Sequence, residues 1–219
     1  MKNYSEIMEK CPLFAGVRRE ELTALLGCLQ AKIFTAAKNQ TVIAEGEPAR
    51  YIGIVLSGAV QITRMDYDGN KSIVAEAAEG EAFGEAFACA EVESMPVDIV
   101  ASEPAQVLLI DRDRILHPCE NACGFHQKLI YNLMRIIARR NISLHQKLEI
   151  TSRRTTREKL MAYLHLCARR AGSNRFAIPF DRQELADYLQ VDRSGLSAEI
   201  GRLRQEGVLE SRKNDFELL

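Results

Sequence analysis

Two short amphipathic segments separated by a tight turn, between residues 181 and 205, constrain the fold of this 219-residue chain most strongly. Asp181 and Asp192 can each cap a helix, because a short side-chain oxygen accepts hydrogen bonds from the free amides of a helix start. Apolar residues follow each cap at helical spacing, which predicts one buried face per helix. These residues are Leu185, Ala186 and Leu189 in the first segment, and Leu196, Ile200 and Leu203 in the second. With Gln190-Val191 as the turn, the pattern predicts a helix-turn-helix.

The second of these helices is the candidate recognition helix. With its apolar face inside, the outer N-terminal side carries Arg193, Ser194, Ser197 and Ala198, where such a helix presents base-reading residues to the major groove. Arg193 suits bidentate bonds to a guanine, and the two serines can reach bases or phosphates. Candidates for phosphate contacts, which position a protein without reading sequence, are Arg182, Gln183, Arg202 and Arg204. The alternative is a basic, solvated helix pair in an ordinary α-domain.

The segments around this motif predict a winged domain over residues 151–219. Thr155 and Glu158 form a capping box ahead of an apolar helix. The run RFAIP (175–179) reads as a short strand, and Gly207 ends the recognition helix. VLESR (208–212) and FELL (216–219) would then pair as a β-wing. Two helices, a tight turn and a terminal hairpin agree on one architecture.

Residues 1–118 predict a β-rich domain after a helical start at 5–29. Short runs rich in β-branched residues and separated by turn residues are typical of a sandwich or barrel. Asp68-Gly69-Asn70 lies between two of the runs and indicates a hairpin, and glycines at 46, 53, 58, 80 and 84 suit sharp corners. The predicted strands are KIF (32–34), TVIAEGE (41–47), YIGIVLSGAVQITRM (51–65), KSIVAEA (71–77), VDIVAS (97–102) and AQVLLID (105–111).

Residues 119–150 predict a long central helix with a dimerisation seam. Apolar residues recur every seven positions in two rows four residues apart, which is a heptad pattern. The seam comprises Ile130, Met134, Ile137, Asn141, Leu144 and Leu148. Because the stripe is narrow and has basic residues beside it, it favours pairing with a second copy over packing within one domain. A core helix with an accidental heptad is the alternative to a homodimer.

The charge and cysteine content limit the protein class. Residues 1–118 hold 11 Lys and Arg against 18 Asp and Glu, whereas residues 119–219 hold 18 against 12. Such asymmetry is typical of a chain in which one module meets a polyanion, although solvated charge can also cluster by chance. Six cysteines without an apolar signal stretch favour reduced thiols in the cytosol. Since no apolar run approaches the ~20 residues that cross a bilayer, we expect a cytoplasmic protein with no membrane partner.

The whole chain resembles the Crp/Fnr superfamily of transcription regulators. The stretches that carry the resemblance are RTTREKLMAYL (154–164), PFDRQELADYLQVDRSGLSAEIGRLRQEGVL (179–209) and FGEAFA (83–88). The resemblance implies an α+β protein: an N-terminal jelly roll of the cyclic-nucleotide-binding type, a central dimerisation helix and a C-terminal winged helix-turn-helix. It also implies a sequence-specific regulator that binds a pseudo-palindromic operator on double-stranded DNA, answers to a small-molecule effector, and contacts RNA polymerase if it is an activator.

The sequence departs from the cyclic-AMP-binding members at the expected ligand site. Those members resemble this chain at Gly84-Glu85, but they carry an Arg-Ser pair where Met95 and Pro96 stand here. A buried phosphate needs an opposing charge, so cyclic AMP is not the expected ligand. The resemblance places an effector pocket at the following residues: Gly84, Glu85, Met95, Pro96, Tyr131 and Leu144. Ordinary core packing is the alternative for each of them, and neither the effector nor any cofactor is assigned.

A metal or redox role rests on CENACGFH, in which Cys119, Cys123 and His126 would share one face of a helix. Only three ligands are visible, so we expect no metal site, and buried thiols in the core are the alternative. An enzyme of the cupin type is not expected, because all four histidines lie outside the predicted strands. A sensing module that acts without DNA is the remaining alternative, but it leaves residues 179–219 unexplained.

Overall fold

The computed structural model describes residues 4–65, 71–117 and 125–219. The chain forms two compact units, Met1–Arg139 and Arg140–Leu219. The first unit is rich in β-strands and the second is mainly helical with one small sheet. The expected α+β architecture is confirmed.

The first unit is built on two four-stranded antiparallel sheets, with strand orders β1-β8-β3-β6 and β2-β7-β4-β5. Their inward-facing apolar side chains pack together, which is the arrangement of a double-sheet jelly roll. The strands are β1 Lys32–Ala36, β2 Thr41–Ile43, β3 Tyr51–Ser57, β4 Val60–Met65, β5 Lys71–Ala77, β6 Ala82–Phe83, β7 Asp98–Ala101 and β8 Ala105–Asp111. The paired strands β4 and β5 flank the predicted Asp68-Gly69-Asn70 turn, which lies outside the described residues.

Five helices within the described residues accompany the roll. They are α1 Ser5–Lys10, α2 Arg19–Cys28, α3 Glu85–Cys89, α4 Arg112–Leu116 and α5 Phe125–Thr151, with a 3₁₀ turn at Pro12–Phe14. A second core packs α1, α2 and the start of α5 against the outer face of the sheet that contains β3 and β8. The sequence did not predict α3 or α4, because five-residue helices are too short for a periodic pattern.

Two glycines explain local differences from the predicted strands. The run 51–65 splits into two strands at Gly58, where φ is +76° and a Cβ would lie 2.4 Å from the Pro104 carbonyl oxygen. Gly53 lies within β3 rather than at a corner, because the Phe83 ring occupies the space of its missing side chain, 2.0 Å from an ideal Cβ. A close approach of packing groups, rather than backbone freedom, thus explains this glycine.

The N-terminal half of α5 is held by the first unit. Leu129 and Leu133 are buried in its second core. The buried Asn132 amide donates hydrogen bonds to the carbonyl oxygens of Leu13 (3.0 Å) and Ala15 (2.8 Å). Because buried amides need such partners, these bonds fix which face of the helix is turned inward.

The second unit contains the predicted winged helix-turn-helix. Its elements are α6 Thr156–Ala171, β9 Arg175–Ala177, α7 Arg182–Leu189, α8 Arg193–Gln205, β10 Leu209–Arg212 and β11 Asp215–Leu218. The three strands form an antiparallel sheet in the order β10-β11-β9. The predicted capping box of Thr155 and Glu158 begins α6. One apolar core joins the helices and the sheet.

The sequence predicts three segments, 1–118, 119–150 and 151–219. The boundary between the two compact units falls inside α5, so its residues up to Arg139 belong to the first unit and those from Arg140 to the second. Among the described residues, no helix combines the length and apolar character that a membrane span requires.

Candidate nucleic-acid interface

Local capping fixes the two helices of the motif. Asp181 accepts a hydrogen bond from the Glu184 amide at 2.8 Å, and Asp192 accepts one from the Gly195 amide at 2.8 Å. Gln190 takes the left-handed conformation, φ +54°, and closes α7 before the turn. The six predicted inward residues of α7 and α8 are all buried. Because both caps and the turn form as predicted, the N-terminal end of α8 faces outward.

The predicted base-reading residues share this outer end. Arg193, Ser194 and Ser197 are all exposed on the first turns of α8. Within the described part of the chain, the Arg193 guanidinium makes no hydrogen bond or ion pair. Ser194 donates its hydroxyl to the Asp192 carboxylate, which lowers the pKa of that carboxyl together with the Gly195 amide bond. Ser194 is therefore part of the cap, whereas Arg193 and Ser197 are open to a ligand.

The four predicted phosphate-binding residues have different surroundings. Gln183 donates to Asp187 at 2.9 Å, while Arg202 and Arg204 lie 3.3 Å from Glu199 and Glu210. All three remain at the surface, so phosphates can compete with these partners.

Arg182 is the exception among the four. Its guanidinium lies 4.9 Å from the centre of the Phe216 ring, and burial lowers its pKa. Its Nη1 atom is buried and has no hydrogen-bond partner in the described structure. Arg182 therefore braces the first helix of the motif against strand β11 of the wing, and only part of its guanidinium can meet DNA.

The sequence did not predict three contacts that support this surface. Arg157 of α6 donates to Glu206, the C-cap residue that follows α8. An aromatic cluster of Tyr163, Phe180 and Tyr188, with ring centroids 5.0 to 6.0 Å apart, joins α6 to α7. Lys147 of α5 lies 5.3 Å from the centre of the Tyr188 ring. Since these partners are distant in sequence, no local pattern could have identified them.

The predicted seam on α5 separates into two groups. Ile130 and Ile137 are partly buried and pack against the core of the first unit, while part of each side chain remains accessible. The other four predicted residues, Met134, Asn141, Leu144 and Leu148, are exposed. Large apolar side chains that are 57% to 66% exposed on α5 are Tyr131, Met134, Ile142, Leu144 and Leu148. Of these, Met134, Leu144 and Leu148 share one side of the helix with Asn141.

The candidate effector residues are only partly brought together. Gly84 has φ +75° and precedes the buried Glu85 at the start of α3. Met95 is 2% exposed and packs in the inner core of the roll with Phe83 and Ile99, whereas the neighbouring Pro96 is exposed. Met95 is thus part of the core of the roll. Tyr131 and Leu144, which complete the predicted set, are both exposed on α5.

Of the three candidate metal residues, the structure describes His126. Cys119 and Cys123 lie outside the described residues. His126 is buried, and its Nε2 atom donates to the Arg114 carbonyl oxygen at 3.0 Å. This contact joins the start of α5 to α4, which is a structural role.

The jelly roll, the long helix and the exposed end of α8 define a DNA-binding transcription regulator with an effector-binding type of domain. Residues 33–121 match the cyclic nucleotide-binding domain family, and residues 158–219 match the Crp-like helix-turn-helix domain family. The chain belongs to the Crp/Fnr superfamily of transcription regulators, as the sequence motifs predicted.

Individual relatives agree with this assignment. The chain is 25% identical to the transcriptional activator protein FnrA of Stutzerimonas stutzeri, over 83% of this chain and 74% of the relative. It is 35% identical over 80 residues to a CRP-like cAMP-activated global transcriptional regulator of Mycobacterium tuberculosis, which covers 36% of this chain and 35% of that protein. The crystal structure of DNR from Pseudomonas aeruginosa shares the fold, with a TM-score of 0.52 and 22% identity over 100% of this chain and 95% of that one.

Proposed function

We propose that two copies of this chain bind a pseudo-palindromic operator, each inserting the N-terminal end of α8 into one of two successive major grooves. The exposed Arg193 guanidinium, at the first position of a capped helix, carries this proposal. Arginine at such a position can bond the O6 and N7 atoms of a guanine together. In a symmetric dimer, the two half-sites would be centred about one helical turn apart.

The exposed face of α5 supports the homodimer. The interface we propose is centred on the exposed Met134, Asn141, Leu144 and Leu148. The partly buried Ile130 and Ile137 lie between this seam and the core of the first unit. A polar residue such as Asn141 within an apolar seam favours two-stranded pairing in one register, at some loss of stability.

The operator can be defined by selection of bound duplexes from random DNA, followed by footprinting and gel-shift titration. We expect a two-fold symmetric site and an affinity that falls steeply as salt rises, because phosphate contacts release counterions. A single protected half-site, or binding that does not depend on salt, would contradict the proposal.

We further propose that the effector is not cyclic AMP. Met95 stands where the resemblance places the arginine that neutralises the cyclic phosphate, and its buried thioether offers no charge to an anion. Proteins similar to this chain include a cAMP-activated regulator and a c-di-GMP responsive one. Because effectors differ among similar proteins, the name of a relative does not identify the effector of this chain.

Cyclic AMP is therefore expected to leave the thermal midpoint of unfolding unchanged. A ligand that binds the folded state alone raises stability by RT ln(1 + [L]/Kd), so binding would appear as a saturable rise. Differential scanning fluorimetry over a cyclic AMP titration measures this, with 5′-AMP as the matched control nucleotide. A rise with cyclic AMP that 5′-AMP does not produce would refute the proposal.

We also propose where the protein acts and which further partner it contacts. A regulator of this class acts on chromosomal DNA, which places it in the cytoplasm, and it contacts RNA polymerase where it activates. We propose no catalytic role, because the proteins that this chain matches are transcription regulators.

A further inference from the structure

Arg157, on α6, contacts two glutamates at different positions along the recognition helix and its C-terminal cap. Its guanidinium donates through Nη1 and Nη2 to the two carboxylate oxygens of Glu206, with Nη1 at 3.0 Å. Nη1 also lies 3.7 Å from the Glu199 carboxylate. Glu199 lies within α8, and Glu206 is the C-cap residue that follows the helix. The two glutamates are seven residues apart, about two helical turns, and so lie on the same side.

The apolar contacts of α8 do not provide the same restraint. Leu196, Ile200 and Leu203 bury one stripe of the helix in the core of the second unit. Burial of this kind is non-directional, so it permits small changes of tilt and slide at little energetic loss. A bidentate arginine–carboxylate pair, by contrast, fixes both distance and orientation.

Glu199 extends the contact from α6 to the DNA-facing side of α8. Its side chain is only 12% exposed and lies between Arg157 and Arg202, whose Nη1 atom is 3.3 Å away. The hydrogen bonds from Arg157 lower the pKa of the Glu206 carboxyl, so this partner stays ionised at neutral pH. Together, Arg157, Glu199 and Glu206 form a charged triad that we call the α6–α8 clamp.

The length of α8 makes the clamp important for base reading. Helix α8 has 13 residues, so its two ends are about 20 Å apart. A tilt of about 5° around the clamped end would move the Arg193 end by roughly 1.7 Å over that length. Hydrogen bonds tolerate only a few tenths of an ångström around their usual distances, and recognition sites need positioning of comparable accuracy.

We propose that Arg157 is a positioning residue for DNA sequence recognition, which it achieves by pinning α8 through Glu199 and Glu206. This inference rests on the proposed function, because it concerns how the same DNA-facing helix end is held. The position of Arg157 also matters, since it is the second residue of α6 and follows directly on the turn that ends α5. The clamp therefore joins the recognition helix to the segment nearest the central helix.

The test compares two substitutions of opposite charge in the full-length protein. Arg157→Ala removes a positive charge and Glu206→Gln removes a negative one, so a purely electrostatic role would weaken DNA binding in the first variant and strengthen it in the second. The clamp instead predicts that both variants lose about tenfold in the ratio of operator to scrambled-duplex affinity, the size of a single mismatched base pair. The double variant should lose no more than either single one, because one interaction can be removed only once.

Arg154→Ala is the matched control. It removes the same charge three residues earlier, from an exposed side chain, and should leave the ratio within twofold of the wild type. Arg157→Lys keeps the charge but not the planar fork, so it should show an intermediate loss. Exposed ion pairs add little stability, so the melting temperature should change by no more than a few degrees.

Three results would overturn the inference. The first is that Arg157→Ala and Glu206→Gln shift operator affinity in opposite directions while the ratio of operator to scrambled-duplex affinity stays unchanged. The second is a double variant whose loss equals the sum of the two single losses. The third is a fall in the ratio of operator to scrambled-duplex affinity that accompanies a large fall in melting temperature, which would indicate unfolding. A wild-type protein that fails to distinguish operator from scrambled DNA would refute the proposed function itself, and is thereby distinguishable from failure of the clamp.

Discussion

Met134→Glu combined with Leu148→Glu is expected to convert the protein to a monomer and to weaken operator binding by about 10²–10⁴-fold, the usual gain from linking two binding modules. Both side chains are exposed on α5 in the single chain, so the changes should not disturb its own core. In a dimer, however, they would bring four carboxylates into an apolar interface, where charge without a partner is strongly unfavourable.

Sedimentation equilibrium and gel-shift titration measure the two halves of this prediction. Ser143→Glu is the control for added charge, because it introduces one negative charge, half of that in the double variant, at an exposed position of α5. Position 143 is turned away from the proposed seam by helical geometry, so this variant should remain dimeric. A dimer that persists in the double glutamate variant would place the interface elsewhere.

The elements predicted best from the sequence are those fixed by neighbours within a few residues. Asp181, Asp192 and Thr155 each cap a helix through a bond to an amide three residues ahead. The Gln190 turn and the buried faces of α7 and α8 likewise depend on local spacing. Because capping and amphipathic periodicity are short-range properties, one sequence is sufficient to predict them.

Interactions between residues far apart in the chain were not predicted from the sequence. Arg157 and Glu206 are 49 positions apart, and Arg182 meets the Phe216 ring from another element. Nothing in the local sequence distinguishes an arginine that will bind phosphate from one that will brace a helix. Which role each takes depends on the tertiary fold that brings its partner near.

The seam on α5 illustrates an ambiguity of periodicity. A seven-residue repeat identified a helix with an apolar stripe, but Ile130 and Ile137 turn partly toward the core of their own unit. The buried Asn132 amide, bonded to the Leu13 and Ala15 carbonyls, fixes that rotation. Spacing alone predicts how many apolar faces a helix has, but it does not say which neighbour covers each of them.

The glycines of the roll also show that the sequence alone does not reveal why a residue is needed at its position. Gly58, with φ +76°, suits the corner that its residue type predicts. Gly53 instead accommodates the Phe83 ring from within a strand. Both glycines serve the fold, yet only the structure reveals which of the two physical reasons applies at each position.

Arg193→Ala is expected to abolish sequence preference at one base pair of each half-site and to reduce discrimination there by about 1–3 kcal/mol, the usual value of a bidentate arginine–guanine pair. The residue is exposed at the first position of α8, and Asp192 caps that helix whether or not Arg193 is present. The helix should therefore remain folded while its reading group is lost. Selection from random DNA, repeated with the variant, measures the preference position by position.

Arg202→Ala is the control that separates loss of a base contact from loss of a phosphate contact. Arg202 is on the same helix, but its guanidinium lies beside Glu199 and suits a phosphate contact. Its removal should weaken binding to all sequences alike and reduce the slope of log K against log salt by about 1, with the base preference unchanged. Arg193→Ala should do the reverse, because a lost base contact changes which sequence is preferred. If Arg193→Ala weakened operator and scrambled DNA equally, Arg193 would be a phosphate ligand, and Ser197 would be the next candidate for reading the base.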